Sequence, residues 1–331
     1  MEKQYRVLSI DGGGIRGIIP AMILAEIEER TGKRISELFD FIAGTSTGGI
    51  LGLGLVIPGE DGKPKYAAED LVKLYQDNGS TIFSKDTWKR IQSAGGVLDE
   101  KYSQAGIESV LEKYFGDAEL KDVLTDVLIT SYDLETRRPF FFKSMKAKKD
   151  PNRNHLVRLA ARATSAAPTY FEPLKLTTDD RFTYYSLVDG GLYANNPAMC
   201  AYAEVTRMDK RDLLFVSLGT GEMSAQTISH DKARNWGVME WIKPLIDVMM
   251  DGNSDTVAYQ LAQVMDVKPN SDYYRIQANL TKDSAEMDNV KDSNIRKLKI
   301  IANDTIRDES KAIQAICDRL LKQFDDAETM G

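Results

Sequence analysis

Short, mostly apolar runs alternate with helical patterns along the first two thirds of the chain. The runs at Tyr5–Ile10, Phe39–Ala43 and Leu213–Leu218 have the length and composition of buried strands in a parallel sheet. Helical spacing predicts a helix over Pro20–Thr31, and Gly49–Val56 predicts a helix that is buried on all sides. This alternation predicts an α/β fold with a mainly parallel central sheet and helices on both faces.

The rest of the chain continues the alternation and then becomes mostly helical. Three more strands and one helix are predicted by the same periodicities: Asp126–Tyr132, Arg138–Lys143, Tyr184–Val188 and, as the helix, Leu156–Ala163. Helical spacing dominates from about Trp236 onward, where one apolar stripe contains Ile306, Ile313, Ile316, Leu320 and Phe324. We expect a single domain over residues 1–331, with a motif-bearing core in residues 5–221 and a mostly helical extension in residues 236–331 packed on it.

Composition and charge narrow the class of protein. The chain has 331 residues, of which 42% are apolar and 28% are charged, and it has no low-complexity tract. Its net charge of -7 argues against a general nucleic-acid-binding role. The two cysteines, Cys200 and Cys317, suggest no disulfide framework, and no apolar signal-peptide region precedes the first strand. We therefore expect a cytoplasmic protein that binds no nucleic acid.

One serine stands in a glycine frame where a predicted strand becomes a predicted helix. Gly44–Gly48 is GTSTG, which matches the G-x-S-x-G pattern of a nucleophile elbow with Ser46 at its centre. Gly44 and Gly48 permit a sharp turn because they have no Cβ atom. The helix that follows directs its N-terminus at Ser46, where partial positive charge favours a developing anion. Ser46 is therefore the candidate nucleophile of an acyl-transfer site.

A run of three glycines follows the first strand. Asp11–Gly17 is DGGGIRG, and consecutive glycines can direct several backbone N–H groups at one point. The N–H groups of Gly12, Gly13 and Gly14 are therefore candidate donors of an oxyanion hole. Arg16 is placed to fix this turn or to neutralise charge beside it.

The same glycines fit a competing hypothesis, a nucleotide-binding module. Gly12, Gly14 and Gly17 have the spacing of the dinucleotide-binding G-x-G-x-x-G fingerprint. That fingerprint requires an acidic residue at the end of the second strand, where it binds the ribose. Asp40 stands at the start of that strand, and the strand ends in GTSTG. The nucleotide site is therefore the less favoured interpretation.

The general base is less obvious, because the chain has only 2 histidines. Ser46, Asp189 and His230 occur in the Ser–Asp–His order of the α/β-hydrolases. That fold places several strands before its nucleophile, whereas one strand and one helix precede the elbow strand here. His230 and His155 stand in polar segments and are expected at the surface. The other candidate base is Asp189, which opens a DGG sequence after a predicted strand.

Four motifs in this order resemble the signatures of the patatin-like phospholipase family. They are DGGGIRG, GTSTG, SAAP at Ser165–Pro168 and DGG at Asp189–Gly191, and GTG at Gly219–Gly221 extends the similarity. The resemblance implies a Ser–Asp dyad, with Ser46 as nucleophile and Asp189 as the base that accepts its proton. It also implies an oxyanion hole at the DGGG turn, an acyl-serine intermediate, fatty-acyl esters of phospholipids or other lipids as substrates, and no metal or other cofactor.

Lipid substrates imply peripheral contact with a membrane, and two segments suit such contact. Lys143–Arg153 carries basic side chains that could touch anionic head groups, although a solvated loop is the favoured interpretation. Trp236–Met250 is apolar and aromatic, which suits an interfacial anchor, a lid or a dimer contact. A core helix is the favoured interpretation of this segment. A homodimer is the one further partner that it suggests.

Overall fold

The computed structural model describes residues 4–82, 104–178, 184–223 and 228–328. Within these residues an eight-stranded sheet forms the centre of the fold, and two short strands pair with each other outside it. The strands are β1 Tyr5–Ile10, β2 Phe41–Gly44, β3 Asp126–Asp133, β4 Arg138–Lys143, β5 Leu174–Thr177, β6 Tyr184–Asp189, β7 Leu213–Leu218, β8 Glu222–Met223, β9 Asp272–Ile276 and β10 Asn279–Leu280.

The middle of the sheet is parallel. The strand order is β5–β6–β3–β2–β1–β7–β9, and β4 also pairs with β3. The neighbours from β3 to β9 in this order are parallel, whereas β4, β5 and β6 join through antiparallel pairings. The predicted α/β fold with a mainly parallel sheet is confirmed, and every predicted strand is present within a few residues of its expected bounds.

Helices cover both faces of this sheet. They are α1 Ile18–Thr31, α2 Ile35–Leu38, α3 Thr47–Val56, α4 Ala68–Ile82, α5 Gln104–Phe115, α6 Ser144–Ala147, α7 Val157–Thr164, α8 Gly191–Ala194, α9 Ala198–Arg207, α10 His230–Ala233, α11 Val238–Asp266, α12 Asp292–Asp308 and α13 Ser310–Glu328. Successive strand residues point to opposite faces, so Leu8 lies in the main hydrophobic cluster and Val7 in a second one. The second cluster includes Val205 of α9 and Leu261 of α11.

The C-terminal region is mostly helical, as expected, but it contains two strands that helical spacing does not predict, β9 and the short β10. β9 pairs in parallel with β7 and forms an edge of the sheet. Only Ile276 among its five residues is buried, so no apolar run marks it in the sequence. After β9 the chain returns to α12 and α13, whose Leu298, Ile313 and Leu320 join the main hydrophobic cluster.

The interpretation of Trp236–Met250 as a core helix is wrong. The segment does form the first turns of α11, but Val238 is 81% exposed and Met239 is 66% exposed. The end of α11 packs against the sheet instead, through Val257 and Leu261. Apolar content identifies the helix, but it does not tell which part of the helix has a packing partner. In the part of the chain that the structure describes, no helix has the length and apolar character needed to cross a membrane.

Candidate active site

Ser46 lies on a tight turn between the end of β2 and the start of α3. Its backbone has a φ of 54° and a ψ of -122°, a conformation that non-glycine residues rarely adopt. A Cβ atom on Gly48 would lie 2.2 Å from the carbonyl oxygen of Ile10, and one on Gly44 would lie 2.4 Å from that of Gly48. Both positions therefore require glycine. The backbone geometry is that of a strand-to-helix elbow.

The sheet brings Asp189 to the end of β2 from the opposite direction. β2 pairs with β3 as far as Gly44 and Ile129, and then leaves the sheet at the elbow. β6 runs antiparallel to β3 further along, with Asp189 opposite Ser131. β4 pairs with one edge of β3 alongside both of these pairings. β2 and β6 must therefore both pair with the other edge of β3, one after the other. The last residue of β6 therefore meets the point where β2 ends.

The Ser46 hydroxyl group lies close enough to the Asp189 carboxyl group to lower its pKa by hydrogen bonding. Both residues are buried, with exposed fractions of 8% and 3%. Burial raises the pKa of Asp189 from 3.8 to about 7, against smaller opposing effects of the hydrogen bonds from Ser46 and from the N–H of Gly191. The Gly191 N–H donates to Asp189 Oδ1 at 2.7 Å. A carboxyl group with this pKa can accept a proton from a hydroxyl group and release it again near neutral pH.

The end of α7 and the start of the SAAP segment together connect these two strand ends. The hydroxyl oxygen of Thr164, the last residue of α7, accepts the N–H of Ser46 at 2.8 Å. Two residues later, the carbonyl oxygen of Ala166 accepts the N–H of Asp189 at 3.0 Å. One short segment thus positions both side chains. The sequence marks SAAP as a motif but gives no sign of the part played by Thr164.

The DGGGIRG turn lies against Ser46. A Cβ atom on Gly12 would lie 3.3 Å from Ser46 Cβ and 2.5 Å from Asn195 Oδ1, so the close approach requires glycine. The N–H of Gly12 donates to the carbonyl oxygen of Asn195 at 3.0 Å. The N–H groups of Gly13 and Gly14 have no hydrogen-bond partner among the described residues. Both of these glycines line the pocket that contains Ser46.

Arg16 contacts this turn from outside the pocket. Its buried Nε donates to the carbonyl oxygen of Gly13 at 3.3 Å. That carbonyl belongs to the same peptide unit as the N–H of Gly14, so the bond helps to orient this N–H. Burial lowers the pKa of Arg16, and the carboxylates of Asp251 and Asp247 on α11 oppose the shift. Arg16 and Asp251 line a separate polar cavity beside the turn.

An ion pair from the edge strand holds the start of the turn. Arg275 of β9 donates to Asp11 Oδ1 at 3.0 Å and to Asp11 Oδ2 at 2.6 Å. It also donates to Ser217 Oγ at 2.9 Å. The N–H of Asp11 in turn donates to the carbonyl oxygen of Leu218 at 3.0 Å. The sequence did not identify Arg275, because no motif or spacing links it to the first glycine turn.

An apolar pocket leads to Ser46 and Asp189. Gly13, Gly14 and Ser165 line it close to these two side chains. Its other walls are formed mostly by apolar and aromatic side chains, which are Ile50, Tyr75, Ile82, Ile107, Pro168, Tyr170, Phe171, Leu192, Ile246, Met250 and Met287. A pocket with apolar walls and a few convergent polar groups suits a hydrocarbon chain that carries one reactive polar group.

The residues that the competing hypotheses require lie elsewhere. His230 is exposed at the start of α10, and His155 packs edge-on against Phe142 with ring centroids 5.6 Å apart. His155 is partly buried, so the expectation of a surface position is correct only for His230. Asp40 forms an ion pair with Arg6 next to the start of β2, away from the glycine turns. Among the described residues, no group of three or more His, Cys, Asp or Glu side chains is placed to hold a metal ion.

Comparison with known proteins identifies the family. The profile of the family described as Patatin-like phospholipase matches residues 8–202. Patatin-like protein 1 of Oryza sativa subsp. indica is 35% identical over 329 residues, which cover 89% of this chain and 80% of that protein. The chain therefore belongs to the patatin-like phospholipase family. Membership supports lipid acyl hydrolase activity, the cleavage of lipid esters.

Two further similarities complete this comparison. The protein named Probable inactive patatin-3-Kuras 1, from Solanum tuberosum, is 32% identical over 300 residues, which cover 82% of this chain and 78% of that protein. The crystal structure of VipD from Legionella pneumophila aligns with 92% of this chain and 67% of that chain, with a TM-score of 0.35 and 11% identity. Because one similar protein is named inactive, catalysis by this chain must be argued from its own residues.

Proposed function

We propose that the protein is a lipid acyl hydrolase that works through a Ser46–Asp189 dyad. The observation that carries the proposal is the position of the Ser46 hydroxyl group beside the buried Asp189 carboxyl group in an apolar pocket. As Ser46 Oγ attacks the ester carbonyl, Asp189 accepts its proton, a task that suits a carboxyl group with a pKa of about 7. The apolar walls hold the fatty-acyl chain of a phospholipid, a lysophospholipid or another lipid ester.

The oxyanion that forms in this attack requires hydrogen-bond donors, and we assign the N–H groups of Gly13 and Gly14. Gly12 is excluded from this role because its N–H already donates to Asn195. Arg16 acts as a positioning residue, since it binds the carbonyl oxygen of Gly13. The N-terminus of α3 adds partial positive charge beside the developing anion.

The reaction has two steps. In the first, Ser46 Oγ bonds to the acyl carbon, and the alcohol leaves with the proton that Asp189 has accepted. In the second, Asp189 takes a proton from a water molecule that attacks the acyl-serine. The fatty acid leaves, and Asp189 returns the proton to Ser46 Oγ, so the enzyme regains its starting state.

Three variants test the dyad. Ser46→Ala and Asp189→Asn should abolish hydrolysis of a short-chain soluble ester, and His230→Ala, the matched control, should retain wild-type activity. If His230→Ala is as inactive as the other two, a Ser–Asp–His triad replaces the dyad. A fluorophosphonate probe should label the wild type and not Ser46→Ala. An unlabelled wild type would mean that the site is vestigial and that the protein binds lipids without cleaving them.

A further inference from the structure

The first turns of α11 expose a continuous apolar surface. Six large apolar residues on this part of the helix are between 39% and 81% exposed. Five of them lie on one side of the helix, and we call these five the apolar stripe: Val238, Trp241, Leu245, Val248 and Met249. At about 100° per residue they fall within an arc of roughly 100° around the helix axis. Scattered apolar residues are common at protein surfaces, whereas a stripe of this order indicates a surface that meets another apolar phase.

The apolar stripe borders the pocket that contains Ser46. Ile246 and Met250, which lie on the same turns of α11, line that pocket. The methyl group of Met250 approaches the site closely, because a Cβ atom on Gly191 would lie 3.2 Å from it. The helix thus has one side in the pocket and a neighbouring side at the surface. A molecule that meets the stripe is therefore next to the entrance for a hydrocarbon chain.

The three carboxylates on the first turns of α11 lie away from the stripe. Glu240, Asp247 and Asp251 fall within about 40° of one another on the opposite side of the helix. Two of them, Asp247 and Asp251, interact electrostatically with the buried Arg16. Between Val238 and Asp251, no carboxylate therefore falls within the arc of the stripe, where it would repel an anionic surface.

Two tryptophans lie at the beginning of the stripe. Trp236 packs edge-on against Trp241, with ring centroids 5.1 Å apart. The exposed Lys232 and Arg234 come just before Trp236 in the sequence. Indole rings prefer the boundary between head groups and acyl chains, and basic side chains are attracted to anionic head groups. This composition fits a lipid surface better than a protein surface.

We propose that the apolar stripe docks the protein on the surface of a lipid bilayer, with the pocket of Ser46 facing the lipids. The docking proposal rests on the proposed lipid hydrolase function, since it specifies how the pocket of Ser46 reaches its lipid substrate. A second copy of the chain is the other candidate occupant. The stripe is about 17 Å long and 10 Å wide, so it covers far less than the roughly 800 Å² per partner that a stable dimer buries.

The basic segment Lys143–Arg153 is not the docking surface. Lys143 pairs in register with Leu128, near the start of β3, so the segment after it lies at the end of the sheet opposite Ser46. Lys143 also forms an ion pair with Glu204 at 2.6 Å, and Lys148 forms one with Asp126 at 2.8 Å. A membrane bound there would be far from the pocket.

Vesicle binding tests the proposal. The double variant Leu245→Ser with Val248→Ser is made in Ser46→Ala, so that the vesicles are not consumed. Vesicles of phosphatidylcholine, alone and mixed with phosphatidylserine, are sedimented with the protein. The double variant should bind at least about tenfold more weakly than Ser46→Ala alone. A matched pair, Val267→Ser with Ile300→Ser, removes residues that are 80% and 59% exposed outside the stripe and should bind normally.

Three further measurements complete the test. Vesicles should shift the tryptophan emission of Ser46→Ala to shorter wavelength, and Trp241→Phe should reduce that shift. In the active background, the double variant should lose hydrolysis of vesicle lipid and keep hydrolysis of a soluble short-chain ester. Sedimentation velocity should give the same monomeric mass for wild type and double variant.

Several results would overturn the proposal. The first is equal vesicle binding by the double variant and by its Ser46→Ala parent. The second is an equal loss of vesicle binding in the double variant and in the matched pair. The third is a wild-type protein that is dimeric and a double variant that is monomeric. The last result would identify the stripe as a dimer contact. Failure of the proposed function is distinguishable, because it would leave the soluble ester uncleaved while vesicle binding by Ser46→Ala still responds to the stripe.

Discussion

Arg275 binds both carboxylate oxygens of Asp11, at 3.0 and 2.6 Å, and so connects the edge strand β9 to the glycine turn after β1. The side chain of Asp11 is 2% exposed and that of Arg275 is 15% exposed. Because Asp11 immediately precedes Gly12, the pair fixes the point from which the DGGG turn starts. The oxyanion donors that we assign therefore depend on a residue outside the four motifs.

Arg275→Ala should destabilise the protein strongly. The change leaves the carboxylate of Asp11 buried without its partner, and breaking a buried ion pair in this way costs about 3–5 kcal/mol. The free energy of unfolding in urea measures the effect. We also expect a fall in kcat for a soluble ester, since the glycine turn loses its anchor.

The matched control is Arg319→Ala. Arg319 forms an ion pair with Asp272, also on β9, but the two side chains are 33% and 23% exposed. Its loss should cost about 0–1 kcal/mol, because water and salt screen a partly exposed pair. Similar losses for the two variants would mean that the edge strand as a whole, and not the burial of Asp11, determines the effect.

The sequence predicted most of the sheet because parallel strands are marked by local apolar runs. It also predicted Ser46 and Asp189 at strand ends, where glycine requirements leave clear motifs. It did not predict β9, whose partial burial leaves no periodic signal. Arg275 stands 264 positions from Asp11, and Thr164 binds Ser46 through a tertiary contact. Such partners are set by packing, and one sequence carries no local record of them.

The proposed oxyanion hole shows a different limit of sequence reasoning. Three consecutive glycines predict several N–H groups near one point, but not which of these groups are already occupied. Gly12 donates to Asn195, a bond between residues on distant elements. For Arg16 the sequence left two roles open, fixing the turn or neutralising charge, and its hydrogen bond to the carbonyl oxygen of Gly13 fits the first. The sequence therefore predicted the residues of the candidate site and left their hydrogen bonds undetermined.

Thr164→Val should lower kcat with little effect on KM. Valine has the shape of threonine but no hydroxyl oxygen, so the N–H of Ser46 loses its acceptor at the strained elbow. A buried unpaired N–H costs about 1–3 kcal/mol. Steady-state kinetics with a soluble ester separate kcat from KM. Thr164→Ser, which keeps the oxygen, should restore most of the activity. Equal losses in both variants would point to packing of the methyl group instead.

Gly14→Ala should abolish activity, whereas Gly32→Ala should only reduce stability. Both glycines have a positive φ, 59° and 65°, so alanine is strained by about 1–2 kcal/mol at either position. A Cβ atom on Gly14 would also lie 2.2 Å from the carbonyl oxygen of Met287, while Gly32 has no neighbour within 4 Å. Unfolding and ester hydrolysis are measured for both. An active Gly14→Ala would contradict this prediction and would mean that the turn keeps its geometry with a Cβ atom at position 14.

Activity should rise with pH through an apparent pKa of about 7. Asp189 must be deprotonated to accept the proton of Ser46, and burial raises its pKa to about 7. We therefore expect kcat/KM for a soluble ester to fall roughly tenfold per pH unit well below this value and to level off above it. Histidine titrates in the same range, so the profile is repeated with His230→Ala. If the pH profile of His230→Ala matches that of the wild type, Asp189 is the titrating group. If the inflection near pH 7 disappears in His230→Ala, His230 is the titrating group.

Asp189→Asn should stabilise the protein at pH 8 and have little effect near pH 4. The folded-state pKa of Asp189 is raised from 3.8 to about 7, so the folded protein holds a proton that the unfolded chain releases between these values. Wild-type stability therefore falls as pH rises through this window, and the loss is complete above the folded pKa. The asparagine side chain does not ionise, which removes the loss, up to ~4 kcal/mol for a shift of about three pKa units. Urea unfolding of both proteins at several pH values measures the difference, and a gap that does not change with pH would contradict the raised pKa.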